Sequence, residues 1–514
     1  MTIREKLGQM VMAGFPGETL DDEFRELIRS YKVANIILFS HNIKDREQLR
    51  GLCREIQDEV RAAAGVPALI AIDQEGGMVS RLPKDMTGIP GAMAVAATGD
   101  PENAYRVGRL TAHGLRSVGV NFNLAPSLDI NSNRDNPVIG VRSYGDTAET
   151  VSAYGIRMMR GLLDGGVLSA VKHFPGHGDT AVDSHVGLPR VEKTERELME
   201  CELIPFRRAI EAGAPCIMTS HILFPKLEKE KIPATMSGKI LTGLLRGGLG
   251  FDGLIITDCL EMGAIRDCYG TEKGALAAVN AGADMVCISH TASLAESAIE
   301  TMERTLRNGE LSMERVDEAV RRVRRVRAMC RAFPEDLSLG QREEDRREAE
   351  RVSLNSITAV RLHGEMPVLG PDTLYAGSYA ARSTLASSSV DRSLSFPYFL
   401  AERLGGTPLV TPIDPSPEEI EKVLAAAASL RCRNAVVGLY NGQFNRGQLA
   451  LVKALCEAGL SVAAVSLRNP YDLSMADERS DAFAAYEYTE LAFGSLVRLF
   501  RERKRPEGKL SVRL

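Results

Sequence analysis

The sequence predicts an α/β protein in which a parallel (β/α)8 barrel of the TIM type is followed by a smaller α/β sandwich domain. Three observations support this prediction. The chain has 514 residues, which is too long for one ordinary core. Up to about residue 290 it repeats a unit of short β-branched run, polar loop and amphipathic stretch. A second alternation of strands and helices begins near residue 352.

The first alternation contains enough units to close a barrel. The eight candidate strands lie at 9–15, 34–39, 68–73, 120–125, 170–174, 216–220, 254–258 and 285–289. Amphipathic segments between them lie at 20–31, 45–64, 102–118, 147–165, 193–212 and 271–281. Eight strands alternating with helices are typical of a parallel barrel more than of a doubly wound sheet.

The domain boundaries follow from composition. We expect a catalytic barrel over residues 1–333 and a linker over 334–351, where a highly charged stretch reads as a linker or a surface helix. The sandwich domain is expected over 352–514, with strands near 357–362, 373–376, 435–439 and 462–467. It carries no dense cluster of catalytic residue types, so we expect a structural or dimerising role and a homodimer as one assembly. The basic run at 321–327 is expected to be a solvated helix face over an apolar stripe of Val320, Val323 and Val326.

Composition limits the function. The net charge of −5 and the 44% apolar content describe an ordinary globular protein and argue against nucleic acid or an anionic membrane as a partner. The nine scattered cysteines include no C-x-x-C pair, which indicates reduced thiols and a cytoplasmic location. No apolar stretch is long enough to span a membrane. We therefore expect a small-molecule substrate.

Residue types suited to catalysis collect where the predicted strands end. They are Asp73, Lys172 with His173, Ser220 with His221, Asp258, and Ser289 with His290. In a β/α barrel, the carboxyl ends of the strands form the single face on which active sites are built. Each residue alone could be a loop or cap residue, but together they predict one site.

The loop KHFPGHGDTAVDSH at 172–185 is the strongest local signal. Asp183 and His185 lie two residues apart, so in an extended segment both side chains project to one face and the carboxylate can orient the imidazole. That pairing is suited to an acid/base group. The alternatives are a solvated polar loop, or a zinc site made by His173, His177, Asp183 and His185, whose spacing matches no zinc signature.

A second signal is the segment GFDGLIITDCLEMGAI at 250–265, in which an apolar strand delivers Asp258 at its end. The alternative is an aspartate that caps the next helix. A carboxylate nucleophile together with an acid/base is what a retaining glycosidase needs. Here Asp258 would attack the anomeric carbon and His185, supported by Asp183, would move the proton.

Two further segments fit sugar binding. IDQEGGMVSRL at 72–82 supplies Asp73, which can accept from sugar hydroxyls, and Arg81, which can donate to one. The alternative is a surface ion pair on a glycine turn. The long polar loop at 124–145 contains Arg142, and loops of that length in compact domains tend to be functional.

Taken together, these motifs resemble glycoside hydrolase family 3, in particular its β-N-acetylhexosaminidase branch with a His-Asp acid/base dyad. The residues that carry the resemblance are IDQEGG, NPVIGVRSYG, KHFPGHGDTAVDSH, PATMS at 233–237 and IITDCLEM, in order over about residues 1–330. Met78 departs from the pattern, since that branch more often has a basic residue there. The segments AVVGLYN and GKLSV look like the family's α/β sandwich domain.

The resemblance implies a role for each matching residue. Asp258 is the nucleophile and His185 the proton donor, with Asp183 as its partner. The implied sugar-binding residues are Asp73, Arg81, Arg142, Lys172 and His173. The implied reaction is exo-release of terminal β-linked N-acetylglucosamine, with cell-wall fragments as the natural substrate and no cofactor or metal. Phosphate in place of water as acceptor and a non-catalytic sugar-binding role are the alternatives. The β-glucosidases of the family lack the D-x-H loop, so this sequence argues against that activity.

Overall fold

The structure is a computed structural model that describes residues 1–181, 187–331, 339–381 and 392–514. Eight parallel strands, paired in chain order, close into a barrel, and a six-stranded sheet follows. Both parts of the predicted fold class are therefore confirmed. The predicted acid/base residues Asp183 and His185 lie outside the described residues.

The barrel strands fall where the sequence predicts them. They are β1 Val11–Ala13, β2 Asn35–Leu38, β3 Leu69–Ile72, β4 Phe122–Asn123, β5 Leu168–Phe174, β6 Cys216–Thr219, β7 Leu254–Cys259 and β8 Met285–Ile288. The barrel closes where Met12 of β1 pairs with Cys287 of β8. Almost every strand residue is buried, as expected for parallel strands that are covered on both faces.

The helices surround this barrel. They are α1 Ile3–Gly8, α2 Asp22–Tyr31, α3 Arg46–Ala64, α4 Ala92–Ala97, α5 Glu102–Val118, α6 Ala148–Asp164, α7 Glu195–Glu200, α8 Leu203–Glu211, α9 Gly263–Arg266, α10 Thr271–Ala281, α11 Ala292–Asn308 and α12 Met313–Met329, with a π-helix at Lys239–Gly248. Local chemistry sets their ends. Asp45, for example, accepts a hydrogen bond from the Gln48 amide to start α3, and Gly65 ends it at a φ of 67°.

The inside of the barrel is filled by side chains and closed at one end by α12. Its apolar stripe is confirmed, because Val320, Val323 and Val326 are buried and the last two pack against the interior residues of the strands. The expectation of a uniformly solvated basic face is wrong at Arg327. That guanidinium is buried and donates to Gln9 Oε1 at 2.5 Å and to Asn35 Oδ1 at 2.6 Å. Sequence periodicity cannot reveal these partners, because Gln9 and Asn35 lie near the start of the chain, far from Arg327 in the sequence.

The second domain contains two strands that the sequence did not indicate. Its elements are α13 Glu343–Ser356, β9 Thr358–Arg361, β10 Thr373–Gly377, α14 Phe396–Leu404, β11 Thr407–Val410, α15 Pro417–Ser429, β12 Asn434–Leu439, α16 Gly447–Glu457, β13 Ser461–Ser466, β14 Asp481–Ala484 and α17 Glu490–Glu502. The strand order is β11-β10-β12-β13-β14-β9, with β9 antiparallel to β14. The missed strands are β11 and β14. Strand β11 contains Pro408, which reads as a loop residue and is tolerated because this strand lies at the edge.

The division at 333 and 351 stays a prediction. Helix α13 begins within the proposed linker and crosses its end, and it buries Ala349 and Val352. The charged stretch is thus partly a packed helix. Its charges occupy the exposed side, while the few apolar residues face the protein.

The two domains share a core. Met93, Ala94 and Ala97 of α4, together with Val141, belong to the same apolar cluster as the strands of the second sheet. Met78, in the loop after β3, also packs against this domain. The second domain therefore contacts the loops that follow β3 and β4.

Candidate active site

A cavity of about 650 Å³ opens at the carboxyl ends of the barrel strands. The sequence-predicted residues that line it are Asp73, Arg81, Arg142, Lys172, His173, Asp258, Ser289 and His290. Its lining also includes Glu75, His177 and Glu261. Side chains from distant parts of the chain are thus brought to one face, because each follows or ends a parallel strand.

Lys172 lies at the centre of a buried ion network. Its Nζ donates to Asp73 Oδ1 at 2.7 Å and lies 2.8 Å from Glu75 Oε1. Burial alone would lower the pKa of Lys172, but the carboxylates of Asp73 and Glu75 outweigh burial and raise it. The ammonium group stays charged, and Asp73 keeps an exposed edge toward the cavity, with 19% of its side chain accessible.

Glu75 joins Lys172 to Arg142. Arg142 donates through Nε at 2.9 Å and through Nη2 at 2.8 Å to the two oxygens of Glu75, a bidentate pair. Burial would raise the pKa of Glu75, yet Arg142 and Lys172 hold it well below its usual range. The network therefore contains fixed charges whose hydrogen-bonding directions are set before any sugar binds.

A buried aspartate orients His173. Asp129 Oδ2 lies 2.6 Å from Nδ1 of His173, and Oδ1 accepts from the backbone amide of His177 at 2.7 Å. Burial would raise the pKa of Asp129, but the neighbouring histidines outweigh it and lower that pKa to about 2. Since the carboxylate can only accept, Nδ1 of His173 carries the proton and Nε2 is the ring nitrogen left for other partners.

His177 supports the same loop. Its Nδ1 lies 2.8 Å from Thr180 Oγ1, and burial beside His173 lowers its pKa to about 4. A neutral, buried imidazole of this kind shapes the loop. Within the described ranges no group of His, Cys, Asp and Glu side chains is arranged to hold a metal ion.

Gln74 positions Arg81. Its Oε1 accepts from the backbone amides of Arg81 at 2.8 Å and Leu82 at 3.1 Å. The Gln74 backbone is itself fixed by the amide of Asn123 at the end of β4, through contacts of 3.0 and 2.9 Å. The side-chain amides of Gln74 and Asn123 therefore stabilise the turn that brings Arg81 back to the cavity.

Asp258 lies near the end of strand β7, where it is half-buried and lines the cavity. It is not a helix cap, because α9 begins later and its N-cap is Met262. Its Oδ1 accepts from the Cys259 amide at 2.7 Å. His221 fixes this strand end, since its two ring nitrogens contact the Cys259 carbonyl and Thr235 Oγ1, each at 2.9 Å.

Sequence reasoning missed Glu75 and Asp129 as members of the site. Glu75 lies two residues after Asp73, and Asp129 lies in the same loop as Arg142. Both are buried against cations or imidazoles from other parts of the chain, and the sequence does not show those contacts. A signal existed for Glu75, because Gly76 and Gly77 bend the chain immediately after it and turn it into the site.

The fold and this site define a barrel enzyme with a strand-end carboxylate and a buried network of hydrogen-bonding groups. Residues 2–326 match the family "Glycosyl hydrolase family 3 N terminal domain". The chain belongs to glycoside hydrolase family 3, and its expected nature as a glycoside hydrolase is confirmed.

Three relatives illustrate the similarity. Beta-hexosaminidase A of Pseudoalteromonas piscicida is 34% identical over 411 residues, covering 72% of this chain and 69% of that protein. A beta-hexosaminidase of Alkalilimnicola ehrlichii is 37% identical over 288 residues, which cover 55% and 80% of the two chains. The solved family 3 beta-N-acetylglucosaminidase from Paenibacillus sp. str. FPU-7 is 39% identical with a TM-score of 0.93, covering 100% of this chain and 99% of that one. Among the described helices, none is both long and apolar enough to cross a membrane.

Proposed function

We propose that this chain is a retaining, exo-acting β-N-acetylglucosaminidase that hydrolyses terminal β-linked N-acetylglucosamine, with cell-wall fragments as its substrates and the cytoplasm as its location. The observation that carries the proposal is the cavity that Asp258 lines together with Asp73, Lys172 and His173. Relatives named beta-hexosaminidase and beta-N-acetylglucosaminidase support the choice of sugar.

The sugar is held by the buried network. The carboxylate of Asp73 accepts from a hydroxyl group, and Lys172, Arg81 and Arg142 donate to others. His173 adds Nε2 as a further hydrogen-bonding atom, because Asp129 occupies its Nδ1. The charges are already paired, so binding a neutral sugar requires little rearrangement of the protein.

The reaction then takes two steps. In the first, the Asp258 carboxylate attacks the anomeric carbon as His185 gives its proton to the leaving oxygen, and a covalent glycosyl ester forms. In the second, His185 takes a proton from water, which attacks the same carbon and releases Asp258. Asp183 stabilises the protonated imidazole of His185 in the first step. Asp183 and His185 act here as the sequence predicts.

The test is hydrolysis of a chromogenic β-N-acetylglucosaminide beside the matching β-glucoside, with wild type, Asp258→Asn and His185→Ala. We expect wild type to prefer the N-acetylated sugar strongly and both variants to lose activity. Equal rates on the two sugars would contradict the proposed specificity. Unchanged turnover in Asp258→Asn would contradict the proposed nucleophile, and a wild type without activity would favour a non-catalytic sugar-binding protein.

Product analysis with and without phosphate separates hydrolysis from phosphorolysis. The proposal predicts free N-acetylglucosamine under both conditions, with no dependence of rate on phosphate. Formation of a sugar 1-phosphate would show that phosphate replaces water in the second step.

A further inference from the structure

The cavity has an aromatic side that the proposed sugar-binding network does not use. Phe39, at the end of β2, lies with its ring centroid 5.7 Å from that of His41 and 4.8 Å from that of His290. All three rings line the cavity, and the two histidines are exposed. The charged residues come from the ends of β3 to β5, whereas these rings come from the ends of β2 and β8.

Hydrogen bonds from neighbouring loops hold the ring of His41 and the backbones of Phe39 and His290. His41 Nε2 donates to the carbonyl of Phe15 at 3.1 Å, and Asn42 Oδ1 accepts from the Phe39 amide at 2.8 Å. On the other side, the amide of His290 donates to Glu261 Oε2 at 2.7 Å. A surface fixed from three loops is suited to binding a rigid group, since little conformational freedom is lost.

We propose that Phe39, flanked by His41 and His290, forms the subsite for the leaving group, and that this subsite takes a pyranose ring. The inference rests on the proposed function. The carbon-bound hydrogens on one face of a pyranose carry partial positive charge and pack well on the negative face of an aromatic ring. Asp258, on β7 beside β8, lies between this aromatic side and the charged side, so a substrate bonded at its anomeric carbon can reach both.

The experiment compares two substrates that differ only in the leaving group. One is the β-linked N-acetylglucosamine disaccharide, whose leaving group is a pyranose, and the other is N-acetyl-β-glucosaminyl fluoride, whose leaving group has no ring. For Phe39→Leu we expect kcat/KM to fall about tenfold on the disaccharide and to stay within about twofold of wild type on the fluoride. His290→Ala gives a second variant with the same expected difference, and Phe444→Leu, an exposed phenylalanine outside the cavity, serves as the matched control.

Equal losses on both substrates, or no loss on either, would overturn the subsite. Equal losses would also be the result if the rings held the N-acetyl group instead. A wild type that turns over neither substrate would refute the proposed function itself, which is a different and recognisable outcome.

A separate set of contacts concerns the second domain. Asn469 Oδ1 accepts from the amide of Val141 at 3.1 Å, and Val141 directly precedes Arg142. Earlier in the same loop, Asn131 donates to Tyr471 at 2.6 Å. The loop after β4 is thus attached to the second domain by buried hydrogen bonds.

Gly140 allows Asn469 to come this close. Its φ is +47°, and a Cβ built on it would lie only 2.3 Å from Asn469 Oδ1. Any other residue would clash with the amide that holds Val141 and would strain the backbone. The glycine therefore fits both the bend of the loop and the approach of the second domain.

The geometry points to Asn469 as a positioning residue for sugar binding. It fixes the backbone at Val141, the next residue is Arg142, and Arg142 is bound to Glu75, which in turn contacts Lys172. Loss of the Asn469 contact should allow the Arg142 guanidinium to move, while the position of Asp258 should not change. The role of the second domain would then be to support the substrate loop, and this inference also rests on the proposed function.

Three variants test this. Asn469→Leu removes the acceptor, Asn469→Asp keeps an oxygen acceptor, and Gly140→Ala blocks the approach. In Asn469→Leu and Gly140→Ala we expect KM to rise about fivefold to tenfold, with kcat nearly unchanged. In Asn469→Asp we expect KM to stay close to that of wild type. Gln443→Met, which removes a contact to the Arg134 carbonyl, is the control and should leave KM unchanged.

Two results would overturn the role of Asn469. One is an equal rise in KM for Asn469→Leu and Asn469→Asp. The other is a fall in kcat that follows the loss of thermal stability in every variant, which would indicate only a structural role.

Discussion

The carboxylate of Glu75 accepts two hydrogen bonds from the guanidinium of Arg142, at 2.9 and 2.8 Å, and both side chains are buried. Lys172 contacts the same carboxylate at 2.8 Å. One carboxylate thus compensates two buried cations. Removing it would leave Lys172 paired with Asp73 alone and would take the bidentate partner from Arg142.

Glu75→Gln should therefore be severely damaging. Loss of one partner from a buried ion pair costs about 3–5 kcal/mol, so we expect a clear fall in melting temperature and a loss of kcat/KM of at least about 100-fold. Glu102→Gln is the matched control, because its pair with Arg157 is exposed and contributes little. Similar kinetics for the two variants would show that Glu75 does not organise the site.

Asp129→Asn should impair His173 through its tautomer. The asparagine amide would donate to Nδ1 where the aspartate accepts from it, so the ring proton would move to Nε2. We expect a loss of kcat/KM of about 30-fold, equivalent to about 2 kcal/mol. Nitrogen NMR of histidine-labelled protein can follow the tautomer, since the chain has only 8 histidines. An unchanged His173 tautomer together with reduced activity would contradict this explanation.

His185→Ala should be sensitive to the leaving group. A general acid contributes about 10²–10⁴ in rate when the leaving oxygen is basic, and little when it is acidic. We expect a large loss of kcat on an alkyl or sugar glycoside and a small loss in the first step on a dinitrophenyl glycoside. A uniform loss across leaving groups would contradict the role of His185 as proton donor.

Glu487 should make stability depend on pH. Its Oε1 accepts from the amide of Gly91 in the barrel at 2.7 Å, and burial raises its pKa from 4.5 to about 7. The folded chain keeps a proton that the unfolded chain releases between pH 4.5 and 7. The contribution of Glu487 to stability is therefore greatest below pH 4.5 and falls as pH rises through this window, by about 3 kcal/mol at most.

Glu487→Gln removes this proton from the equilibrium and keeps an oxygen that can accept from Gly91. We expect its melting temperature to exceed that of wild type at pH 8, with the difference shrinking toward pH 4.5. Asp472, also buried with its pKa raised to about 7, should retain part of the pH dependence in both proteins. Glu490→Gln, at an exposed position, should show no such difference, and a variant without any gain at pH 8 would contradict the prediction.

Much of the fold could be predicted because its signals are local. Each of the eight barrel strands has its own apolar run. Asp73, Lys172 and Asp258 can be recognised because they lie at or near the ends of such runs. Glu75 and Asp129 could not be recognised in this way, since their importance comes from partners far away in the chain. Strand β11 was missed because its edge position, which makes Pro408 tolerable, is a property of the whole sheet.

The contacts between domains were also beyond the reach of sequence periodicity. In the sequence Gly140 looks like an ordinary loop glycine, because only the structure shows that Asn469 packs against it. The same holds for Arg327, which belongs to a basic run yet donates to Gln9 and Asn35 inside the barrel.

In the proposed mechanism Asp258 forms the covalent intermediate, and that intermediate can be trapped. The protein is incubated with a 5-fluoro-N-acetylglucosaminyl fluoride, which forms the glycosyl ester faster than water removes it, and its peptides are analysed by mass spectrometry. We expect one added sugar on the peptide that contains Asp258 and none in Asp258→Asn. A sugar attached to a different residue in wild type would contradict it.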